Sequence, residues 1–302
     1  MTGVALKKKI IKIIQDNSYY LEPLDTGKSK NIKEPIIIKS IIFDIYGTLL
    51  ISASGDIGTV DGFSKTDIFI KSLKMAGINV CNSKAGIKGI KYFYDGIQQS
   101  HLLSKNNNIE YPEVIITKIW KNTLALLLKD KLINTEISNS IIFKTATYFE
   151  ILTNPVWPMP NFLKVIDILQ KKKIFTGIVS NAQFYTSLTF KALTSFSLNE
   201  IGFKKDLIKY SYMNKEAKPS LKMFKSIILN LKNNYNIAPE HTLYIGNDML
   251  NDVYSANKAG LKTVLFAGDA RSLKLRENES RIMGLNPDFV ITDLMQIPEL
   301  IK

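Results

Sequence analysis

The 302-residue chain contains one cysteine, two histidines and three arginines. Because Cys81 is the only cysteine, no disulfide can form within the chain, and this favours a reducing cytoplasm. His101 and His241 are too few and too far apart to indicate a zinc site. The sequence also lacks any run of about 20 apolar residues, which argues against a membrane-spanning helix. No secretory signal is recognisable at its start.

The shortage of arginine decides how the net charge of +13 is interpreted. Arg271, Arg276 and Arg281 are the only arginines, and the remaining positive charge is lysine spread along the chain. Lysine cannot make the bidentate guanidinium contacts that read bases and phosphates. We therefore predict no nucleic-acid partner. The charge instead favours a small anionic substrate, which a positive surface would attract.

The chain is rich enough in hydrophobic residues, at 45%, to bury a core. Residues 1–35 are predicted to form an N-terminal extension, with a helix at 4–16 and a polar loop at 17–35. One face of this helix carries its apolar residues: Leu6, Ile10, Ile13 and Ile14. Such a basic amphipathic helix could lie on a membrane surface. We expect it instead to dock on the rest of the protein, with no membrane partner.

Apolar segments alternate with helical patterns over much of the chain. The predicted strands are 36–43, 174–179, 206–212, 243–246, 262–267 and 288–292. Predicted helices at 161–172, 220–232 and 251–259 separate several of them. This alternation is typical of an α/β fold, a three-layer Rossmann-like parallel sheet covered by helices on both faces.

A helical block interrupts this alternation after the first strand. Helices are predicted at 83–105, 113–130 and 138–153, and the proline-rich residues 155–160 end the block. The chain is therefore divided into the extension 1–35, an α/β core of 36–52 with 155–302, and a helical block of 53–154.

Four polar clusters follow predicted strands: residues 44–48, Ser180 with Asn181, Lys218 with Pro219, and residues 246–252. Right-handed crossovers bring the carboxyl ends of parallel strands to one edge of the sheet, where such folds bind ligands. A carboxylate can act as a nucleophile toward phosphorus or saturated carbon. Hydroxyl and amide groups can hold phosphoryl oxygens, and a lysine can balance their charge. The further acids Asp248 and Asp252 could bind Mg²⁺, which prefers oxygen ligands.

As a set, these clusters resemble the motifs of the haloacid dehalogenase superfamily of hydrolases. The family's first motif, Asp-x-Asp-Gly-Thr or a variant, is matched by residues 44–48. Its second, a strand ending in Ser or Thr, is matched by Ser180 and Asn181. Its third and fourth, a Lys-Pro pair and an acidic pair after a strand, are matched by Lys218-Pro219 and residues 246–252. The resemblance implies that the helical block is the family's helical cap.

The resemblance also implies an activity: a Mg²⁺-dependent hydrolase that forms a covalent aspartyl intermediate, on a small phosphorylated metabolite. Asp44 would be the nucleophile, and Lys218 a catalytic cation oriented by Asp252. The expected contacts to the transferring group are Tyr46, Thr48, Ser180 and Asn181.

The expected metal ligands are Asp44, the backbone carbonyl of Tyr46, Asp248 and Asp252. The spacing of the fourth motif leaves two registers, in which either Asn247 or Asp248 is the first position of the acidic pair. We prefer Asp248 because it keeps a carboxylate for the metal.

Tyr46 departs from the pattern of the family's phosphatases, which carry an acid–base aspartate there. A phenol with a pKa of about 10 is a poor base for the hydrolytic water. Asp-x-Tyr-Gly-Thr is the usual form in the family's metal-free dehalogenases. However, those enzymes tend to have an arginine soon after the first motif, and none occurs here before Arg271.

We therefore favour the phosphate ester hydrolase, with Asp56, another residue of the helical block, or no residue as the acid. A metal-free 2-haloacid dehalogenase and a non-catalytic binding or regulatory protein remain alternatives. Within the block, Trp120 is expected to be buried. If Glu113 reaches the site, it would favour a cationic or hydroxylated substrate.

Overall fold

The computed structural model describes residues 3–53 and 65–302. Its strands are β1 (Ser40–Phe43), β2 (Leu50–Ser52), β3 (Val156–Pro158), β4 (Phe175–Ser180), β5 (Ile208–Tyr210), β6 (Thr242–Gly246), β7 (Lys262–Phe266) and β8 (Phe289–Ile291). Six of them form one parallel sheet in the order β5-β4-β1-β6-β7-β8. The other two, β2 and β3, form a short antiparallel pair.

The helices of the described residues lie on both sides of this sheet and in the helical block. They are α1 (Val4–Asn17), α2 (Lys65–Met75), α3 (Lys84–Asn106), α4 (Ile116–Lys129), α5 (Asn139–Thr153), α6 (Phe162–Lys171), α7 (Thr186–Thr194), α8 (Leu198–Ile201), α9 (Ser211–Asn214), α10 (Lys222–Tyr235) and α11 (Ser255–Lys258). A π-helical segment, Met249–Tyr254, runs directly into α11.

Strand β1 lies in the middle of the sheet and is buried on both faces. Ile41 and Phe43 pack into the apolar layer beneath α6 and α7, whereas Ile42 packs into the opposite layer beneath α10. Successive side chains of a strand point to opposite faces, so a continuous apolar run is required when both faces are covered. The predicted three-layer α/β fold is therefore confirmed.

All six predicted strands of the sheet are present, although most are shorter than their apolar segments. The first begins at Ser40 rather than at residue 36, and Ile36 makes only an isolated bridge to Ile301. The pair β2–β3 was not predicted. Its strands have only three residues each, and β3 lies in the proline-rich segment that was interpreted as a break.

Helices α2 to α5 build a separate apolar core around Trp120, which is fully buried as predicted. Its ring lies 5.2 Å from that of Phe69, 4.9 Å from Phe93 and 5.3 Å from Phe149, measured between centroids. The chain leaves the sheet domain through β2 and re-enters it through β3. The division at residues 52 and 155 remains a prediction, which this separate core supports.

Helix α1 docks on the protein, as expected. Ile10 and Ile14 are fully buried in a cluster with Ile151 of α5 and Ala192 of α7. One helix of the N-terminal extension therefore contacts both the helical block and the sheet domain. Within residues 3–53 and 65–302, no helix is both long and apolar enough to cross a membrane.

Candidate active site

A buried lysine joins two of the predicted acids at the carboxyl edge of the sheet. Lys218 Nζ donates hydrogen bonds to Asp44 Oδ1 and to Asp252 Oδ1, both at 2.6 Å. The hydroxyl of Tyr244 lies 3.1 Å from the same nitrogen. Burial alone would lower the pKa of Lys218, but the charges of Asp252 and Asp44 outweigh burial and raise it. The ammonium group therefore stays charged.

Asp252 differs from its lysine partner in how it responds to the same surroundings. Burial, together with the negative charges of Asp44 and Asp248, raises its pKa to about 6, against the opposing pull of Lys218. One ammonium group cannot fully balance two carboxylates. Both oxygens of Asp252 are in use, since Oδ1 contacts Lys218 and Tyr244 and Oδ2 accepts from the backbone N–H of Asp248. This geometry fits an orienting role better than metal ligation.

Asp248 is held by the turn that follows β6. Its carboxylate accepts hydrogen bonds from the backbone N–H groups of Leu250 and Asn251, as an N-cap does. Arg276 adds a bidentate contact, with Nη2 at 2.7 Å from Oδ2 and Nε at 3.2 Å from Oδ1. Burial opposes ionisation of Asp248, but Arg276 and the backbone donors lower its pKa overall.

The neighbouring Asn247 uses its side chain to support the loops around the pocket. Its Oδ1 accepts from Thr48 Oγ1 at 3.2 Å, and its Nδ2 donates to the Ser272 carbonyl at 2.5 Å. Its amide is thus already paired at both ends, which favours the register that gives the carboxylate position to Asp248. Thr48 itself is fully buried and does not line the pocket. The expected contact between Thr48 and the transferring group is therefore absent from this arrangement.

Ser180 and Asn181 follow β4 and reach the same pocket in different states. Among the described residues, Ser180 Oγ is buried without any hydrogen-bond partner. Asn181 instead holds the loop of Lys218: its Oδ1 accepts from the Lys218 N–H at 2.7 Å and its Nδ2 donates to the Lys218 carbonyl at 3.3 Å. A buried hydroxyl without a partner is costly, so Ser180 is the side chain most suited to a ligand.

Tyr46 places its phenol away from Lys218, in contact with Thr186 Oγ1 at 2.8 Å. Burial, reinforced by the charge of Glu150, raises its pKa well above the ordinary value. This strengthens the prediction that Tyr46 does not replace the acid–base aspartate. Asp56, the expected alternative, lies outside the described residues.

These groups surround a polar pocket of about 180 Å³. Its lining residues are Asp44, Tyr46, Ser180, Asn181, Lys218, Asn247, Asp248, Asn251, Asp252 and Lys274. Of the eight predicted site residues, only Thr48 is missing from this list. The fold therefore brings together side chains that lie more than 200 positions apart in the sequence.

The donors around the pocket are of the kind that Mg²⁺ prefers, although they do not form a ready cluster. Within the described parts of the chain, no three acidic, histidine or cysteine side chains converge as metal ligands. Neither Asp44 Oδ2 nor the Tyr46 carbonyl has a hydrogen-bond partner among those residues. The carboxylate of Asp248 is the third oxygen group, and it is bound to Arg276. The donors fit Mg²⁺ in kind, provided that Arg276 releases Asp248.

Sequence reasoning did not single out Arg276, Lys274 or Thr186 as parts of the site. Arg276 carried a usable signal, because the three arginines are clustered within eleven positions after β7. Lys274 carried none, since lysine is abundant. Thr186 is reached only through the phenol of Tyr46, a contact that no sequence pattern encodes.

A model of the haloacid dehalogenase-like hydrolase family matches residues 95–266, which is more than half of the chain. The chain belongs to this family. The matched range includes Ser180, Lys218 and Asp248, whereas Asp44 precedes it.

Among curated proteins, the chain is 27% identical over 145 residues to a glyceraldehyde 3-phosphate phosphatase from Pyrococcus furiosus. The alignment covers 48% of this chain and 54% of the relative, so the chain spans about half of that relative's length.

Two solved structures illustrate the likeness in fold. The 2-haloacid dehalogenase from Pseudomonas syringae pv. Tomato aligns with a TM-score of 0.53 at 16% identity, over 87% of this chain and 98% of that one. A magnesium-bound putative HAD-hydrolase from Bacillus subtilis aligns with a TM-score of 0.47 at 17% identity, over 88% and 100% of the two chains.

Proposed function

We propose that this family member is a Mg²⁺-dependent phosphate monoester hydrolase that works through a covalent intermediate on Asp44. The observation that carries the proposal is the buried Lys218, which binds Asp44 at the edge of a pocket containing the unpaired hydroxyl of Ser180. A nucleophile, a balancing cation and a free donor for phosphoryl oxygens are the parts that such a reaction needs.

The reaction would proceed in two displacements at phosphorus. In the first, a carboxylate oxygen of Asp44 forms a bond to phosphorus, the bond to the ester oxygen breaks, and the departing alcohol takes a proton. In the second, water attacks the phosphorus of the aspartyl phosphate and loses a proton. The bond to Asp44 then breaks, which releases inorganic phosphate and restores the carboxylate.

The protein's own residues have distinct parts in these steps. Lys218 balances charge on Asp44 and on the phosphoryl group, and Asp252 with Tyr244 holds its ammonium in place. Ser180 donates its free hydroxyl to a phosphoryl oxygen. Asn181 fixes the backbone that carries Lys218. Asp44, the Tyr46 carbonyl and Asp248 would hold Mg²⁺, which supplies positive charge beside the phosphoryl oxygens.

The charge of the pocket supports a metal-dependent reaction. Lys218 serves two carboxylates, and the contact between Arg276 and Asp248 is neutral as a pair. The pocket floor is therefore net negative, which would repel a phosphate dianion unless a cation joins it. The curated relative, a glyceraldehyde 3-phosphate phosphatase, supports a small phosphorylated substrate.

A metal-free dehalogenase is the second candidate, because Tyr46 occupies the position at which phosphatases carry an aspartate. Halide leaves without needing a proton, so that reaction tolerates a phenol there. Asp248 and Asp252 count against this candidate, since they add negative charge next to an anionic haloacid.

A substrate panel tests the proposal directly. Small phosphate monoesters and 2-chloroalkanoates are incubated with the protein, with Mg²⁺ or with EDTA, and phosphate or chloride release is measured. We expect phosphate release that requires Mg²⁺ and that Asp44→Asn reduces at least ~10⁴-fold. Asp167→Asn, which removes an exposed aspartate paired with Lys171, is the matched control and should retain activity.

Each other outcome has a definite meaning. Phosphate release that survives Asp44→Asn would refute the nucleophile. Chloride release in EDTA, without any phosphatase activity, would establish the dehalogenase. Absence of turnover in every condition would favour the non-catalytic alternative.

A further inference from the structure

A second cavity opens beside the catalytic pocket, between the sheet domain and the helical block. It has a volume of about 400 Å³ and shares Tyr46 and Asn181 with the catalytic pocket. The remaining lining residues are Ser52, Ile97, His101, Glu113, Val114, Ile116, Glu150, Asn154, Ala182, Gln183 and Tyr185. Because the two spaces share walls, a phosphate held beside Asp44 would direct the rest of its ester into this cavity. It is called the side cavity below.

Glu113 enters the side cavity from the loop before α4, and neutral groups hold its carboxylate. Its Oε2 accepts from Ser211 Oγ at 2.6 Å, and its Oε1 accepts from Gln183 Nε2 at 3.2 Å and from the Val114 N–H at 2.9 Å. Burial outweighs these hydrogen bonds and raises the pKa of Glu113.

Glu150 of α5 enters from the other side and is bound in a similar way. Its Oε2 accepts from the Tyr185 hydroxyl at 2.6 Å, and its Oε1 accepts from Asn154 Nδ2 at 3.2 Å. Burial again raises the pKa of this carboxyl group. A carboxylate can accept about four hydrogen bonds, so Glu150 retains acceptor capacity for a ligand hydroxyl.

No lysine or arginine lines the side cavity among residues 3–53 and 65–302. Residues 54–64, which the structure does not describe, contain neither amino acid, so they could not supply one. The side cavity thus has two carboxyl groups without a cationic partner. A ligand with its own carboxylate or second phosphate would meet like charges at short range, which disfavours binding. Hydroxyl groups would instead find acceptors.

We propose that the side cavity binds the alcohol part of the substrate, that it selects a hydroxylated part without negative charge, and that Glu113 and Glu150 are the selecting residues. The inference rests on the proposed phosphatase function. The substrate class is then a small monophosphate of a polyol or hydroxyaldehyde, and esters that also carry a carboxylate are rejected. Specificity comes from repulsion of the wrong ligand as well as from hydrogen bonds to the right one.

Two esters of nearly equal size test this proposal. Glycerol 3-phosphate and 3-phosphoglycerate differ by the carboxylate of the second, and p-nitrophenyl phosphate reports the basal reaction. We expect kcat/KM for glycerol 3-phosphate to exceed that for 3-phosphoglycerate by about 10–100-fold. In the variants Glu113→Gln and Glu150→Gln, the gap should narrow about tenfold, mainly through a lower KM for 3-phosphoglycerate.

Glu110→Gln is the matched control, because it removes an exposed carboxylate three positions from Glu113 and should leave the ratio unchanged. Thermal unfolding of each variant shows whether it is folded. If a variant is unfolded, the ratio measured on the unaltered protein still decides the proposal.

The outcomes separate this inference from the proposed function. Equal or better use of 3-phosphoglycerate, with p-nitrophenyl phosphate also hydrolysed, would overturn the inference and leave the phosphatase standing. A ratio that both glutamine variants leave unchanged would refute Glu113 and Glu150 as the selecting residues. Failure to hydrolyse any of the three esters with Mg²⁺ would overturn the proposed function and the inference together.

Discussion

The catalytic pocket and the side cavity both contain buried carboxylates, but they treat them differently. In the pocket, Asp44 and Asp252 share Lys218, and Asp248 is bound by Arg276. In the side cavity, Glu113 and Glu150 have only neutral hydrogen-bond partners. A charge-paired carboxylate stays ionised and can act on an anionic group, whereas an unpaired one repels anions. The contrast assigns the phosphoryl group to the pocket and an uncharged alcohol to the side cavity.

The largest expected effect comes from removing the cation that sets the pocket apart. Lys218→Met should abolish most activity, by at least ~10³-fold, because the transferring phosphoryl group loses its balancing charge. The variant also leaves two buried carboxylates without a partner, which should cost about 3–5 kcal/mol of unfolding free energy. Steady-state kinetics and urea unfolding measure the two effects.

Lys222→Met is the control, since this exposed lysine pairs with Glu216 at the protein surface. It should change neither quantity appreciably. If Lys218→Met unfolded no more easily than this control, the pocket carboxylates would not depend on Lys218, and the contrast with the side cavity would fail.

A smaller effect is expected from the unpaired hydroxyl in the pocket. Ser180→Ala should lower kcat/KM about 10²-fold, because a donor to the phosphoryl oxygens is lost. It should not destabilise the protein, since Ser180 Oγ has no partner to lose among the described residues. Ser40→Ala is the inverse control: Ser40 bonds Thr242 at 2.6 Å, so its loss should cost about 1 kcal/mol but leave kcat/KM intact. A destabilised but active Ser180→Ala would contradict the assignment.

Arg276 offers a test of the metal that does not depend on turnover. Its guanidinium occupies the carboxylate of Asp248, so Mg²⁺ must compete with it. Arg276→Ala should therefore tighten Mg²⁺ binding about tenfold in calorimetric titration, a difference of ~1.4 kcal/mol. Arg281→Ala, which removes an arginine paired with Glu279, should not alter Mg²⁺ affinity. Unchanged affinity in Arg276→Ala would indicate that Mg²⁺ does not bind Asp248.

The pH dependence gives the smallest of these effects. Since the pKa of Asp252 is raised to about 6, protonation below that pH should remove an orienting partner of Lys218. We expect kcat/KM to fall about fourfold between pH 7 and pH 5.5, and this acid limb to disappear in Asp252→Asn. An identical acid limb in Asp252→Asn would assign it to another group.

Stability should respond to the same proton with the opposite sign. The folded chain binds it more tightly than the unfolded chain, whose aspartate has the ordinary value of 3.8. The stabilising contribution of Asp252 is therefore complete below 3.8 and is lost as the pH rises through 6. Urea unfolding across this range, on the unaltered protein and on Asp252→Asn, measures that contribution.

The fold was predictable from the sequence because each buried strand is a continuous apolar segment that ends at a polar cluster. The strands β2 and β3 were not predictable. Three residues are too few to show a period, and Pro155 and Pro158 flank or end β3, where prolines ordinarily indicate a break. Their pairing depends on the sheet and the helical block already being in place.

The site was predictable in its residues and less so in their states. The position of each polar cluster after a strand was enough to place Asp44, Ser180 and Lys218 in one pocket. Nothing in the sequence indicated that Thr48 is consumed by Asn247, or that Arg276 binds Asp248. These contacts depend on loops whose paths no local pattern encodes. Residues of the side cavity, such as Glu150, come from helices whose packing against the sheet is likewise invisible in sequence.

The most direct test of the central claim follows the oxygen of water during turnover in ¹⁸O-labelled water. An aspartyl phosphate is cleaved by attack at phosphorus, so the account predicts label in the released phosphate and none in the peptide that contains Asp44. An aspartyl ester of the dehalogenase reaction would be cleaved at the aspartyl carbon. Label in the Asp44 carboxylate would therefore contradict the account.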